Sequence, residues 1–211
     1  MIEIKDLSCS YNQQEVFNNV NLEINQGDFI VITGPNGSGK TTFLKALLND
    51  INYQGSILYD GLSPQKAIKE NKVGYVAQLQ IQPIPINITV KEYLKIFLTK
   101  EELNKAANSL GLDKFLDKII NDLSGGQRQL VNIAKTLRSG IDTLILDEPN
   151  TGLDFEVRKN LYNVLSEINK QGITLILISH YIDEISCKVN KIYNMKTKEL
   201  KVVSEHECQY C

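Results

Sequence analysis

The sequence is poor in the features that would commit it to a membrane or to secretion. Nowhere do its 211 residues approach the roughly 18 to 20 uninterrupted apolar positions that span a bilayer as a helix. Met1-Ile-Glu-Ile-Lys-Asp6 lacks the basic-then-apolar order of a secretory signal. The expected location is the cytosol, or a membrane surface reached through a partner. Cysteine is scarce: four residues (Cys9, Cys187, Cys208 and Cys211) are too few for a disulfide scaffold and suit a reducing compartment. Charge of one sign is missing as well. With 23 Lys and Arg against 25 Asp and Glu, the formal charge is -2, which makes no electrostatic case for nucleic-acid binding. The absence of repeats, low-complexity tracts and long heptad arrays disfavours a coiled coil.

What is present suits a globular chain. Hydrophobic residues make up 42% and charged ones 23%, and the length suits one domain, or one with a subdomain. Segments 28–33, 73–77, 143–147 and 174–179 are short, rich in β-branched residues and nearly unbroken in apolarity. Strands buried on both faces of a parallel sheet read this way. Segments 2–10, 16–25 and 55–60 read as antiparallel strands, with turn signals near Asn12 and Gly27. Between Gln78 and Ser124 a loop with Pro83 and Pro85 leads to helical patterns over 90–98, 101–110 and 113–120.

Two stretches carry phosphate chemistry. Gly34-Pro35-Asn36-Gly37-Ser38-Gly39-Lys40-Thr41-Thr42 follows an apolar strand and opens a helix with Phe43, Leu44, Leu47 and Leu48 on one face. Its glycines let successive backbone N–H groups face phosphates at the positive end of that helix. Lys40 suits the β and γ phosphates, and the Thr41 hydroxyl suits Mg²⁺. Further on, Leu144-Ile145-Leu146-Asp147-Glu148 ends a buried strand in two carboxylates. Asp147 suits Mg²⁺ and Glu148 suits an attacking water, and Pro149 stops the strand.

Leu123-Ser124-Gly125-Gly126-Gln127 sits at a helix start, since Leu130, Ile133, Ala134 and Leu137 recur at helical spacing after it. Ser124 can cap that helix, and the two glycines let backbone approach an anion closely. In this order, with the phosphate loop upstream and the acidic strand end downstream, the chain resembles the ATP-binding cassette ATPases almost end to end.

That resemblance implies an α/β P-loop NTPase core of RecA-like type, with an antiparallel β subdomain and an inserted α-helical subdomain. The whole of 1–211 is then one cassette. Residues 1–80 and 139–203 form the nucleotide-binding core with its β subdomain, 81–138 the helical subdomain, and 204–211 a Cys/His tail. It further implies that Tyr11 stacks on adenine and that Gln78 reaches Mg²⁺ and the attacking water. His180 contacts the γ-phosphate, and Asn150-Thr-Gly-Leu-Asp154 faces an opposite subunit. In such a pair Ser124, Gly125, Gly126 and Gln127 complete the nucleotide of a second copy, so two ATP, each with Mg²⁺, lie between two chains.

The implied partners are a second copy of the chain, transmembrane permease subunits at the cytoplasmic face of the membrane and, for an importer, an extracytoplasmic substrate-binding protein. No nucleic acid is expected. Cargo is less directly written. Pro83-Ile-Pro-Ile-Asn-Ile-Thr89-Val90-Lys-Glu92 is similar to the Pro-Ile-Thr-Val segment just after the loop glutamine in zinc and manganese importer ATPases, although it also reads as a helix entry with Thr89 as cap before Glu92. His206, Cys208 and Cys211 have spacing that suits one Zn²⁺, short of a fourth ligand, and equally suit an unstructured tail. The alternatives are an exporter of a drug, peptide or haem-type cargo and a soluble cassette with no transport role.

Overall fold

Alternation within short buried strands builds two cores. The computed structural model of the protein describes residues 1–11, 14–78, 85–196 and 198–205. Strands β3 (Phe29–Thr33), β6 (Thr143–Asp147) and β7 (Thr174–Ile178) are buried at every position. Because neighbouring side chains point to opposite faces, Phe29, Val31, Leu144, Leu146, Leu175 and Leu177 pack into one core, while Ile30, Ile32, Ile145, Ile176 and Ile178 pack into the other. A strand apolar on both faces cannot be left at a surface, so each face must be covered.

These strands lie in a six-stranded sheet of order β5-β6-β7-β3-β8-β9, completed by β5 (Val73–Val76), β8 (Lys191–Lys196) and β9 (Glu199–Glu205). All neighbouring pairs from β5 to β8 are parallel, and β9 returns antiparallel along β8. A separate antiparallel sheet has the order β2-β1-β4, from β1 (Ile2–Tyr11), β2 (Gln14–Ile24) and β4 (Gln54–Tyr59). Helix α1 (Lys40–Leu47) is sandwiched between the two sheets in the second core, where Phe43 meets the ring of Phe17 edge to face at 5.9 Å. Helix α2 (Pro64–Lys69) adds Ala67 to that core. The first core holds α3 (Val90–Leu94), α4 (Lys100–Leu110), α5 (Gly125–Ala134) and α6 (Phe155–Lys170).

Helix starts follow the expected chemistry. Thr89, Thr99 and Ser124 each accept a hydrogen bond from the backbone three residues on, and Glu92, Glu102 and Gln127 each reach back to the capping residue. Such reciprocal caps satisfy N–H groups that a helix start leaves unpaired. Past the end of α1, Asn49 takes a left-handed φ of 54°, a conformation asparagine tolerates where glycine is more usual.

The segment 113–120 departs from its helical pattern. Tight turns form at Leu112–Lys114 and Ile120–Asp122 instead. The carbonyls of Leu116 and Lys118 accept from the N–H groups of Lys91 and Val90, and Ile120 N–H donates to Ile88. Tertiary pairing with the start of α3 thus takes the backbone groups a helix would have used. Within 90–98, the α-helix stops at Leu94.

Candidate active site

Strand order places the chemistry. Across the sheet Ile32 is level with Ile178, Ile178 with Asp147, and Leu146 with Val76. Residues just beyond those levels therefore emerge in a row at the carboxyl ends of β3, β7, β6 and β5: the 34–39 loop, His180, Glu148 and Gln78. Ligands of open parallel sheets bind at this edge.

The loop after β3 is held by backbone contact. Gly34 has φ 147°, and a Cβ there would sit 2.3 Å from the carbonyl oxygen of Met195 on β8, so no other residue fits without moving the sheet. No side chain caps the start of α1, which leaves its first N–H groups available to an anion. Lys40 lies almost buried at that helix start, its Nζ donating to the carbonyls of Gly34 and Pro35 at 2.9 Å each. Burial pushes the Lys40 ammonium below its ordinary range, against the opposing pull of Glu148 and Asp147. A cleft of about 400 Å³ is lined by Val16, Asn36, Gly37, Gly39, Lys40, Thr41, Thr42 and Glu148.

The two acids differ in environment. Asp147 is 6% exposed. Burial, and then the charge of Glu148, raise its carboxyl above the usual range, while hydrogen bonds from Thr41 and Tyr75 and the charge of Lys40 pull the other way. The Tyr75 hydroxyl donates to Asp147 Oδ2 at 3.5 Å and is itself pushed up to about 12, first by burial and then by that carboxylate. Two hard oxygen donors, the Thr41 hydroxyl and the Asp147 carboxylate, share a hydrogen bond beside Lys40. This donor set fits Mg²⁺, which prefers one or two protein oxygens together with phosphate and water.

Glu148 is gripped from three sides. His180 Nε2 lies 3.2 Å from its Oε1, while Thr151 Oγ1 and Gln78 Nε2 donate to its Oε2 at 3.1 and 3.4 Å. Its backbone takes φ 46°, a left-handed conformation uncommon outside glycine, of the kind that collects at functional sites. Gln78, the Asp147–Glu148 pair and His180, far apart in sequence, are therefore joined to the loop of Lys40 and Thr41 in one site. Sequence reasoning missed Val16, which carries no local signal. It also missed Tyr75 and Thr151, which lie inside stretches singled out for other residues.

Ser124–Gln127 is placed differently. The Ser124 Oγ accepts from Gln127 N–H, and Gln127 Oε1 accepts from Ser124 N–H, both at 3.3 Å. Ser124, Gly126 and Gln127 line a second cleft of about 320 Å³ with Leu153, Val157 and neighbours on α6. Among the described residues the two clefts share no lining residue. Tyr11 ends β1 opposite Gln14, and its side chain lies outside the described residues, as do His206, Cys208 and Cys211.

Comparison with known proteins agrees with this geometry. The family described as ABC transporter matches residues 17–151. The zinc uptake system ATP-binding protein ZurA of Listeria innocua is 32% identical over 226 aligned positions, covering 100% of this chain and 88% of its own. The energy-coupling factor transporter ATP-binding protein EcfA1 of Fusobacterium nucleatum is 33% identical over 224, covering 100% of this chain and 81% of its own. Among solved structures, an ATP-binding cassette in a dimeric post-hydrolysis state with ADP and Pi superposes with a TM-score of 0.78 at 27% identity, each chain covered to 100%. With its phosphate loop, acidic strand end and capped Ser-Gly-Gly-Gln helix joined on one fold, the chain belongs to the ABC transporter family and is an ATP-hydrolysing cassette.

Proposed function

We propose that this cassette drives import of a divalent transition metal, zinc or manganese, by closing with a second copy around two ATP and passing the motion to separate permease subunits. The observation that carries the paired arrangement is the separation of the two clefts. By their local chemistry both the uncapped start of α1 at Lys40 and, through the Gly125 and Gly126 N–H groups that the Ser124–Gln127 cap does not use, the start of α5 suit an anion, yet they belong to different cavities. A second chain supplies the surface that would bring a phosphate to both. The ADP- and Pi-bound cassette of similar fold is itself dimeric.

In this reading the 34–39 loop, Lys40 and Thr42 hold the phosphates, and Tyr11 holds the base. Thr41, Asp147 and Gln78 hold Mg²⁺, which when bound neutralises the β and γ phosphate charge. Glu148 takes the proton of the attacking water, and His180 and Gln78 keep that carboxylate and the γ-phosphate in line. Loss of the γ-phosphate removes the charge that bridges the two halves, so ATP favours the closed pair and its products do not.

The permease would dock in a groove of about 310 Å³ lined in part by Ile68, Tyr75, Phe97, Lys135 and Arg138. It lies between α2, β5 and the helical segment, beside the exposed Ile96. Zinc is favoured by the similarity to ZurA along the entire chain. The comparable similarity to EcfA1 favours a second reading, a cassette of an energy-coupling factor transporter. In cells lacking the gene, zinc uptake restored by the intact chain and not by Lys40→Ala supports the first. Unchanged zinc uptake in the deleted strain overturns it. Light scattering with ATP and Mg²⁺ tests the pairing: Glu148→Gln should run as a dimer, and a monomer at saturating ATP overturns that part.

A further inference from the structure

The parallel ladder between β6 and β7 ends at the pair Asp147 and Ile178, one residue short of Glu148 and two short of His180. Backbone pairing therefore does not set the 3.2 Å separation between those two side chains. Just past the ladder three polar side chains meet in the interior. Asn150 is 1% exposed, and Tyr162 and Ser179 are fully buried. Asn150 Nδ2 donates to the Tyr162 hydroxyl at 2.7 Å and to Ser179 Oγ at 3.2 Å, and the two hydroxyl oxygens are 3.2 Å apart. Tyr181 N–H also donates to Ser179 Oγ, at 3.1 Å.

A buried polar cluster costs free energy unless its members satisfy one another, and once satisfied it fixes one arrangement of the segments that supply it. Here those segments flank the hydrolytic pair. Asn150 follows Glu148 across the rigid Pro149, Ser179 precedes His180, and Tyr181 follows it. Tyr162 anchors both to α6. A second tie joins the same two stretches from outside: Arg158 donates to the Leu153 carbonyl and to both carboxylate oxygens of Glu184, with its guanidinium 4.1 Å over the Tyr181 ring.

We propose that Asn150 is a positioning residue for hydrolysis, acting as the missing rung between β6 and β7 that keeps His180 within reach of Glu148. This rests on the reading of His180 as a catalytic group. A polar residue whose only work is to hold His180 has nothing left to do once the imidazole is gone, so the two losses must not add.

The test is single-turnover ATP hydrolysis by the full chain, as wild type, Asn150→Ala, His180→Ala and the double variant, over a range of ATP concentrations. Asn150→Ala should lower the rate constant about 10- to 100-fold with the half-saturating ATP concentration changed less than about threefold, and should add less than about threefold in the His180→Ala background. A full additional loss in that background, or a loss confined to ATP affinity, overturns the proposal while leaving His180 catalytic. An unchanged rate in His180→Ala overturns the catalytic reading itself. If Asn150→Ala melts below the assay temperature, Tyr162→Phe carries the same cycle, since it removes one hydroxyl and keeps the ring.

Discussion

His180 Nε2 and Glu148 Oε1 stand 3.2 Å apart. An imidazole and a carboxylate that follow different strands thus share a hydrogen bond, and Thr151 and Gln78 hold the other carboxylate oxygen. Preorganisation of this kind removes the cost of assembling the groups when substrate arrives. Glu148→Gln keeps the shape and the hydrogen-bonding reach but cannot take a proton. ATP hydrolysis should fall about 10²- to 10⁴-fold with ATP affinity retained, as phosphate release and equilibrium binding of a fluorescent ATP analogue would measure side by side.

Lys40 should act on binding instead. Its ammonium is folded onto the Gly34 and Pro35 carbonyls, a position from which a short swing reaches a phosphate. Lys40→Ala removes the one side-chain cation that lines the cleft among the described residues. Affinity for MgATP should drop by at least about 100-fold, in line with the loss of a charge-assisted contact in a partly dry site. Retained micromolar binding by titration calorimetry would contradict this.

Gly126 has a packing duty that its place at the start of α5 conceals. A Cβ built there would meet Val157 Cγ1 at 2.3 Å, with the Val157 Cβ at 3.6 Å. Gly126→Ala should destabilise the chain by about 1–3 kcal/mol, the usual cost of overpacking. Adding Val157→Ala removes the clashing methyl and should recover most of the loss. Thermal melts of the single and double variants check it, and a Gly126→Ala protein as stable as wild type would count against the contact.

Acid sensitivity should trace to Glu102. Its carboxylate accepts from the N–H groups of Ser139 and Thr99 and from the Thr99 hydroxyl, which pull its pKa from 4.5 to about 2. A folded-state pKa below the unfolded one gives stability that is complete above the unfolded value and is lost as pH falls through the folded one. Between about pH 5 and 3 the urea midpoint of the wild type should therefore slope downward more steeply than that of Glu102→Gln. Parallel slopes would show that other carboxylates dominate.

Much of the site was legible because its residues sit in contiguous stretches whose chemistry is local. The phosphate loop, the acid pair and the capped Ser124 helix each announce themselves within a few residues, and the strands β3, β6 and β7 through unbroken apolarity. What escaped is what depends on distant neighbours. The helical pattern over 113–120 yields because its carbonyls pair with α3, and β8 and β9 lack the apolar runs that marked the other strands of the sheet. Val16 lines the phosphate cleft from the other sheet, a placement no local pattern reports.

By itself, then, the order of residues determined the cassette's parts: which loop turns toward phosphate, which strand ends in carboxylates, which helix start is left open to an anion. Backbone geometry and capping act over a few residues, and sequence speaks at that range. Only the tertiary structure decided that Gln78, Glu148 and His180 converge, that Asn150, Tyr162 and Ser179 close a buried triangle beside them, and that Gly126 must be bare for Val157. Those facts follow from strand order, register and interior packing, which arise from contacts between residues as far apart in the chain as Gln78 and Glu148.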